Sequence, residues 1–401
     1  MPIATTRKAA VLLTAIVLSL GATGCLEEEP QSSPPPDQTS STAPAPAPEP
    51  PASTSVTVDS SGNVFDPARI YEETVDGVIS VSSIFGEGGS PFEGGAAGGS
   101  GFVLNDDGEI VTNAHVISNG EGEDRKAAER VFVEFKDGNI VPAEIVGFDP
   151  FSDVGLLKVD PDVVDLQPLE LADSDRVVPG QPVAVIGSPF GENHSLSTGV
   201  VSQTGRSVRS LTDFQIEDAI QTDASINPGN SGGPMLDAEG RVIGISQQIQ
   251  TGSGASDGVG FGVPVNTITS SVDQLRETGE ASYAYIGVST QPLYPQLAER
   301  LGIDGAERGA IVAEVVPGGP AEDAGIQGGG EEIGFQGARI TSGGDVVTEA
   351  DGEPVERSED LGRIIGAMRP GETVSLRIIR DGEEITIEVE LAERPTALTG
   401  G

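Results

Sequence analysis

From about residue 75 onward, short runs of β-branched and apolar residues recur, each broken within a few positions by Gly, Pro, Asn or Asp. The runs at 75–84, 102–104, 110–112, 131–135, 140–148, 154–159, 183–186, 196–202 and 219–222 predict strands, because Val and Ile suit a pleated surface and turn residues end each run. Residues 235–236 and 241–246, joined by Asp237-Ala238-Glu239-Gly240, predict a hairpin, and 258–265 predicts the last strand of this unit. One helix follows. Val265, Ile268, Val272 and Leu275 fall on one face, Asn266 stands where a cap is expected, and Gly279 ends it. Many short strands and few helices indicate an all-β fold, either a sandwich or a pair of barrels.

A second, smaller unit spans 283–393. It offers strands at 286–290, 310–316 and 345–349, then a hairpin, 374–379 with 384–391, around Asp381-Gly382. Between them a helix capped by Ser358 presents Leu361, Ile364, Ile365 and Met368 on one face. Three glycine-rich segments, 86–99, 250–260 and 327–344, are expected to be surface loops.

The N-terminal part has a different character. Arg7-Lys8 precede an apolar run at 9–20, too short to span a bilayer, and small residues lead from it into Cys25, the only cysteine. This resembles a lipoprotein signal, with Cys25 as the lipid-bearing residue. Residues 26–66, rich in Pro, Ser and Glu, read as a disordered tether between that anchor and a first globular unit at 67–280. The expected location is the outer face of the cell membrane.

Composition narrows the function. The chain holds 63 acidic and 22 basic residues, a net charge of −41, and only four lysines: Lys8, Lys126, Lys136 and Lys158. Phosphate contacts need clustered Lys and Arg, so nucleic acid is not an expected partner. Acids spread over the whole chain repel one another unless salt screens them, which points to a high-salt habitat such as that of a halophilic archaeon. One cysteine excludes an internal disulfide. No zinc, calcium or nucleotide motif stands out, so neither a metal nor a cofactor is expected.

The candidate chemistry starts from a scarce residue. Of two histidines, His115 follows a predicted strand in Thr112-Asn113-Ala114-His115-Val116. Asp153 precedes the apolar run at 154–159 in Asp149-Pro150-Phe151-Ser152-Asp153-Val154, and Ser231 sits in Ile226-Asn227-Pro228-Gly229-Asn230-Ser231-Gly232-Gly233-Pro234. The order His, Asp, Ser is that of the chymotrypsin-type triad. In that reading His115 takes the serine proton, and Asp153 fixes the imidazole tautomer. The turn through Gly229, Asn230 and Ser231 presents an oxyanion hole, with the amides of Gly229 and Ser231 turned inward. His194 has no partner motif and is expected to be an exposed polar residue.

These motifs, with Gly99-Ser100-Gly101-Phe102, Gln221-Thr222-Asp223-Ala224-Ser225, Ser197-Thr198-Gly199-Val200-Val201-Ser202 and Val259-Gly260-Phe261-Gly262-Val263-Pro264, resemble the HtrA/Deg family of serine proteases. The second unit is similar to the PDZ domain of that family. The resemblance implies a chymotrypsin-like double β-barrel with the triad in the cleft, followed by the PDZ domain. It implies a serine endopeptidase acting on unfolded or damaged proteins outside the cytoplasm, and a homotrimer assembled through Phe65, Ile70 and Tyr71. The substrate pocket would be lined by Ile226, Val259, Gly260, Phe261 and Gly262. Position 225, six before the serine, is Ser where trypsin-like enzymes have Asp, so small aliphatic residues such as Val or Ala are the expected P1. Gly262 stands where Ala is usual and makes the pocket depth a question. The PDZ groove would capture peptide C-termini at Tyr285-Ile286-Gly287-Val288, with Leu361 and Ile365 facing the same groove. The competing reading is a proteolytically idle holdase or PDZ-based binding protein.

Overall fold

In the computed structural model, which describes residues 57–58, 64–86, 96–188, 194–247 and 258–397, the apolar runs of the first unit close into two six-stranded barrels. Around the first run Val154–Lys158, Glu109–Thr112, Ala96–Val103, Val78–Ile84, Arg130–Glu134 and Ile140–Asp149, each antiparallel to its neighbours. Around the second run Pro182–Gly187, Ser195–Arg209, Gln215–Thr222, Gly260–Pro264, Val242–Gln247 and Pro234–Leu236.

Strand side chains alternate, so each strand supplies two faces. One face fills its own barrel, with Ile79, Val81, Ile110 and Leu157 in the first and Val183, Val185, Ile220 and Met235 in the second. The other face packs barrel on barrel, where Val78, Phe102, Val111 and Leu156 meet Ile186, Leu236, Val242 and Ile245. Burial on both faces explains why several strands read as unbroken apolar runs.

The helix Val265–Thr278 lays Ile268, Val272 and Leu275 on the shared core. It ends at Gly279 (φ 79°), whose amide donates to the Leu275 carbonyl at 2.9 Å. Asn266 does not cap it. Pro264 occupies the cap position, and the Asn266 side chain instead accepts from the Ser174 amide (3.3 Å) and donates to Asp173 Oδ1 (3.1 Å). Arg276 in the last turn pairs with Glu109 at 2.6 Å and ties the helix to the first barrel.

A short helix, Pro67–Thr74, precedes the barrels, capped by Asp66. Ile70 on it is fully buried in the shared core, and Phe65 and Tyr71 pack partly buried against the same cluster. Ile70 is therefore not available to a partner subunit; an eight-residue amphipathic helix has spent its apolar face on its own barrels. Within the stretch read as a disordered tether, Thr57–Val58 pairs with Val64–Phe65. The signal segment, Cys25 and the tether through residue 56 lie outside the described residues.

Two of the expected loops lie partly outside them too, at 87–95 and 248–257. Residues 96–99 belong to the strand Ala96–Val103, and the third segment is not a loop. Residues 331–342 form a hairpin, Glu331–Phe335 with Ala338–Ser342, turned by Gln336 and Gly337 at φ 48° and 83°. Two positive-φ residues make the tight turn that a twisted strand pair favours.

The second unit is a sheet in the order Val288–Leu293, Gly309–Val315, Val346–Ala350, Thr373–Arg380, Glu383–Glu390, and Val288–Leu293 is its edge. The helix Ser358–Gly366 covers it through buried Leu361, Ile364 and Ile365. Ser358 is its first residue, not its cap. Arg357 holds that position, and Asp360 Oδ2 reaches back to the amides of Arg357 (2.9 Å) and Glu356 (3.1 Å). The ends of the unit close on each other where Ala284–Tyr285 pairs with Ala392–Glu393. No helix among the described residues is long and apolar enough to cross a membrane.

Candidate active site

His115 stands on the single helical turn Ala114–Ile117, where the chain leaves the strand Glu109–Thr112. Asp153 follows the strand Ile140–Asp149 and sits in the left-handed region at φ 57°, which Asp tolerates better than most side chains. Its backbone and side chain both hold the histidine. The Asp153 carbonyl accepts from the Asn113 side chain (2.8 Å) and the Ala114 amide (3.2 Å). Oδ1 accepts from the His115 amide at 2.9 Å, and Oδ2 lies 2.8 Å from His115 Nδ1. A carboxylate only accepts, so the proton of neutral His115 sits on Nδ1 and the Nε2 lone pair is left free.

Gln247, at the end of the strand Val242–Gln247, donates from Nε2 to the same Asp153 oxygen at 3.1 Å. The sequence reading missed it. Nothing local marks it, since it meets Asp153 only when the barrels close.

Burial pushes the His115 imidazole towards the neutral form, but the Asp153 charge and hydrogen bond together outweigh it and hold the pKa above its ordinary value of about 6.5. Arg125 opposes this weakly. His115 keeps a third of its side-chain surface exposed, whereas the Asp153 side chain is fully buried. The arrangement is a base with one open face.

The serine turn is shaped by what a side chain would hit. At Gly232 (φ 84°) a Cβ would come within 2.2 Å of the Ser100 carbonyl oxygen and 3.0 Å of the Asn113 amide nitrogen. The serine turn is thus pressed against the residues just ahead of His115. At Gly233 a Cβ would lie 2.2 Å from the Ile186 carbonyl oxygen. Neighbouring hydroxyls and amides fix the carbonyls: Ser100 Oγ donates to that of Gly229 (2.6 Å), Ser246 Oγ to that of Asn230 (2.6 Å), and the Ser100 amide to that of Ser231 (2.8 Å).

Gly229, at φ 96°, adopts a conformation that favours glycine. Of the three amides in the turn, that of Asn230 is committed to the Asn227 carbonyl at 3.0 Å. Among the described residues the amides of Gly229 and Ser231 have no acceptor, so these two donors are uncommitted. The Ser231 hydroxyl likewise has no hydrogen-bond partner among the described residues, so its bond to His115 is not closed here. In unliganded proteases that contact often tightens only with substrate.

Beside the turn, Ile226 is buried, Val259 is 45% exposed and Phe261 is half-buried. A Cβ at Gly260 would fall 2.7 Å from Ile226 Cδ1, so the Ile226 side chain packs directly over this glycine. Gly262 does not deepen the pocket. Met235 Sδ occupies the space beside it, 2.1 Å from where a Cβ would be, so its bare face belongs to the second barrel's core. Ser225 is exposed. His194 is not an exposed polar residue, as its half-buried ring donates from Nε2 to the Val78 carbonyl at 2.8 Å. Burial lowers its pKa and the Val78 contact only partly offsets this.

At the second unit, Tyr285, Ile286, Gly287, Val288, Leu361 and Ile365 line one groove of about 360 Å³. The carbonyls of Ile286 and Gly287 are tied to the amides of Ala321 and Val316, both at 2.9 Å. The facing wall comes from the second barrel, through Ser207, Phe214, Gln215 and Glu217. No cluster of His, Cys, Asp and Glu suited to a metal occurs among the described residues.

Paired six-stranded barrels with His, Asp and Ser gathered where they meet, followed by a small sheet-and-helix unit, define a trypsin-like serine peptidase fold joined to a PDZ domain; residues 99–245 match the trypsin-like peptidase domain and 284–391 the PDZ domain. Over 302 residues the chain is 40% identical to the probable periplasmic serine endoprotease DegP-like of Halomonas elongata, covering 75% of this chain and 58% of that one. The chain belongs to the HtrA/Deg family of serine proteases with a C-terminal PDZ domain. The solved structure of the HtrA-type protease AlgW with tripeptide agrees, at a TM-score of 0.67 and 30% identity, covering 82% of this chain and 98% of that one. Protease Do-like 1, chloroplastic, of Arabidopsis thaliana is 39% identical over 298 residues, 74% of this chain and 64% of its own length. The chain thus spans less than two thirds of the length of these two curated relatives.

Proposed function

We propose that the chain is a serine endopeptidase that hydrolyses peptide bonds of misfolded or damaged proteins outside the cytoplasm. The observation that carries this is the doubly anchored His115, bound to Asp153 through both its backbone amide and its imidazole Nδ1, beside a glycine-shaped turn that leaves two amides uncommitted. Ser231 Oγ attacks the substrate carbonyl while His115 Nε2 takes its proton. The carbonyl oxygen, now negative, is received by the Gly229 and Ser231 amides, each worth about 3 kcal/mol in the transition state. His115 then returns the proton to the leaving amine, and water releases the acyl group by the same steps. Asp153 and Gln247 keep the imidazole oriented throughout.

The apolar side chains of Ile226 and Phe261, with Ser at position 225, favour small aliphatic P1 residues. The open edge of Val288–Leu293 beside Leu361 and Ile365 favours an extended peptide C-terminus that adds as a strand. Lipid attachment at Cys25 on the outer face of the membrane, a halophilic source and a trimer are further parts of this reading, drawn from the sequence. The word periplasmic in the name of the Halomonas relative fits the extracytoplasmic placement.

An idle binding protein is the weaker reading, because holding a peptide at the second unit requires neither the left-handed Asp153 nor the uncommitted amides. Cleavage of unfolded casein in high salt decides between them. The wild type is expected to degrade it and Ser231→Ala to lose all measurable turnover; equal behaviour of the two would remove the enzyme assignment.

A further inference from the structure

Asp149, Tyr283 and Arg394 meet behind the Asp153 turn in a polar cluster that the hydrolytic steps do not use. Asp149 is fully buried. Its Oδ1 accepts from the amides of Phe151 (2.8 Å) and Ser152 (3.2 Å), and its Oδ2 accepts from Ser152 Oγ and from the Tyr283 phenol at 2.5 Å. One carboxylate thereby staples the stretch that ends in the strained Asp153.

The donors come from far along the chain. Tyr283 immediately precedes Ala284–Tyr285, and Arg394 immediately follows Ala392–Glu393, the strand pair that closes the PDZ unit. The Arg394 amide donates to the Tyr283 carbonyl at 2.8 Å. Its guanidinium lies 5.1 Å from the ring centre of Phe214, 5.4 Å from that of Tyr283 and 5.8 Å from that of Phe151. Phe214 and Leu211 lie between the strands Ser195–Arg209 and Gln215–Thr222, and the Leu211 amide donates to the Pro150 carbonyl at 3.1 Å. Both ends of the PDZ unit and a turn of the second barrel therefore press on residues 150–152.

A buried carboxylate is costly unless its oxygens are satisfied and a countercharge is near. Ser152 alone would leave Oδ2 under-satisfied, and Arg394, stacked on the Tyr283 ring, is the positive charge whose field reaches Asp149. Burial, and next the Asp149 charge beside it, push the Tyr283 phenol well above its ordinary range, so it remains a donor at any working pH.

We infer that Tyr283 and Arg394, acting through Asp149, are positioning residues that hold the Asp153 turn and with it the His115 imidazole. The ends of the PDZ unit are then structural parts of the protease's base. This rests on the peptidase reading, and a domain glue with no catalytic consequence is the alternative it must beat.

The test uses the full chain and Tyr283→Phe, which keeps the ring and removes the hydroxyl that donates to Asp149. Casein kinetics are expected to show kcat lowered about three- to tenfold with KM unchanged, since a slightly misplaced base lowers rate without touching substrate binding. Proton NMR supplies a readout independent of turnover. The His115 Nδ1 proton, identified by its absence in His115→Ala, is expected to shift or broaden in Tyr283→Phe.

A folded Tyr283→Phe with wild-type kcat and an unmoved resonance would overturn the inference and leave only glue. Should the wild type hydrolyse nothing, the resonance alone decides. Movement then upholds the latch while the peptidase reading falls, and no movement sinks the latch too. If Tyr283→Phe does not fold, Arg394→Lys, which keeps the charge and loses the planar stacking, is read by the same two measurements.

Discussion

At the scale of single residues, His115 sits between opposing influences. Burial alone would make it a poor proton acceptor, and the Asp153 carboxylate reverses that. Because its pKa is raised, the neutral form needed to accept the serine proton is lost as pH falls through a value above 6.5, so the acid limb of kcat/KM should lie there. Besides Asp153, Arg125 is the charged group that bears on this imidazole, and its effect is downward. Asp153→Asn removes the upward influence and leaves burial, so the limb should move below 6.5 while the rate falls by about three to four orders of magnitude. A pH–rate profile of the two proteins checks the sign, and a limb that stays in place would show that Asp153 does not set the proton affinity.

The pairing of His115 with Asp153 and the glycine-shaped turn at Ser231 were legible in the sequence because residue order and flanking glycines are written in the chain. Gln247 and Asp149 were not. Each acquires its role from a contact made only in three dimensions, although the Asp149-Pro150 turn signal, four positions before Asp153, was a cue in plain view.

At the scale of elements, the strands were legible because β-branched runs and turn residues bound them closely, and the hairpin across Asp237–Gly240 emerged as read. Element ends were harder. Asn266 and Ser358 have the right chemistry for caps, but Pro264 and Arg357 hold those positions, since tertiary partners at Ser174 and Asp173 claimed Asn266. The glycine-rich stretch at 327–344 looked like a loop because glycine masks strand signals; there the turn at Gln336-Gly337 and the pairing of Ile333 with Ile340 prevailed.

Gly279 was read correctly as a helix stop, and its left-handed conformation gives a measurable consequence. A Cβ there would meet only the Val146 carbonyl oxygen, at 3.4 Å, so Gly279→Ala carries mainly the backbone penalty. Denaturant unfolding should show a loss of about 1 kcal/mol with casein turnover unchanged. A loss of several kcal/mol would mean that the helix end carries packing beyond its cap.

At the scale of the whole molecule, the two barrels, the helix across them and the PDZ unit serve one purpose in this account. They bring three residues, separated along the chain, to the place where the barrels meet. The two-domain division was written in the pattern of strand runs and motifs, and the net charge of −41 in composition. The sequence did not hold the closure of the PDZ unit on the Asp153 turn, because Tyr283 and Arg394 stand at opposite ends of that domain and neither lies in a motif. Nor did it show that Ile70 is core, since an apolar residue on a short helix reads the same whether it faces a barrel or a partner.

The central claim is that Ser231 is activated by His115. Labelling with a fluorophosphonate, which reacts only with an activated serine, tests it most directly. Peptide mapping of the labelled wild type should find the modification on Ser231, and Ser231→Ala and His115→Ala should each abolish it. Labelling of Ser231 that persists undiminished in His115→Ala would contradict the account.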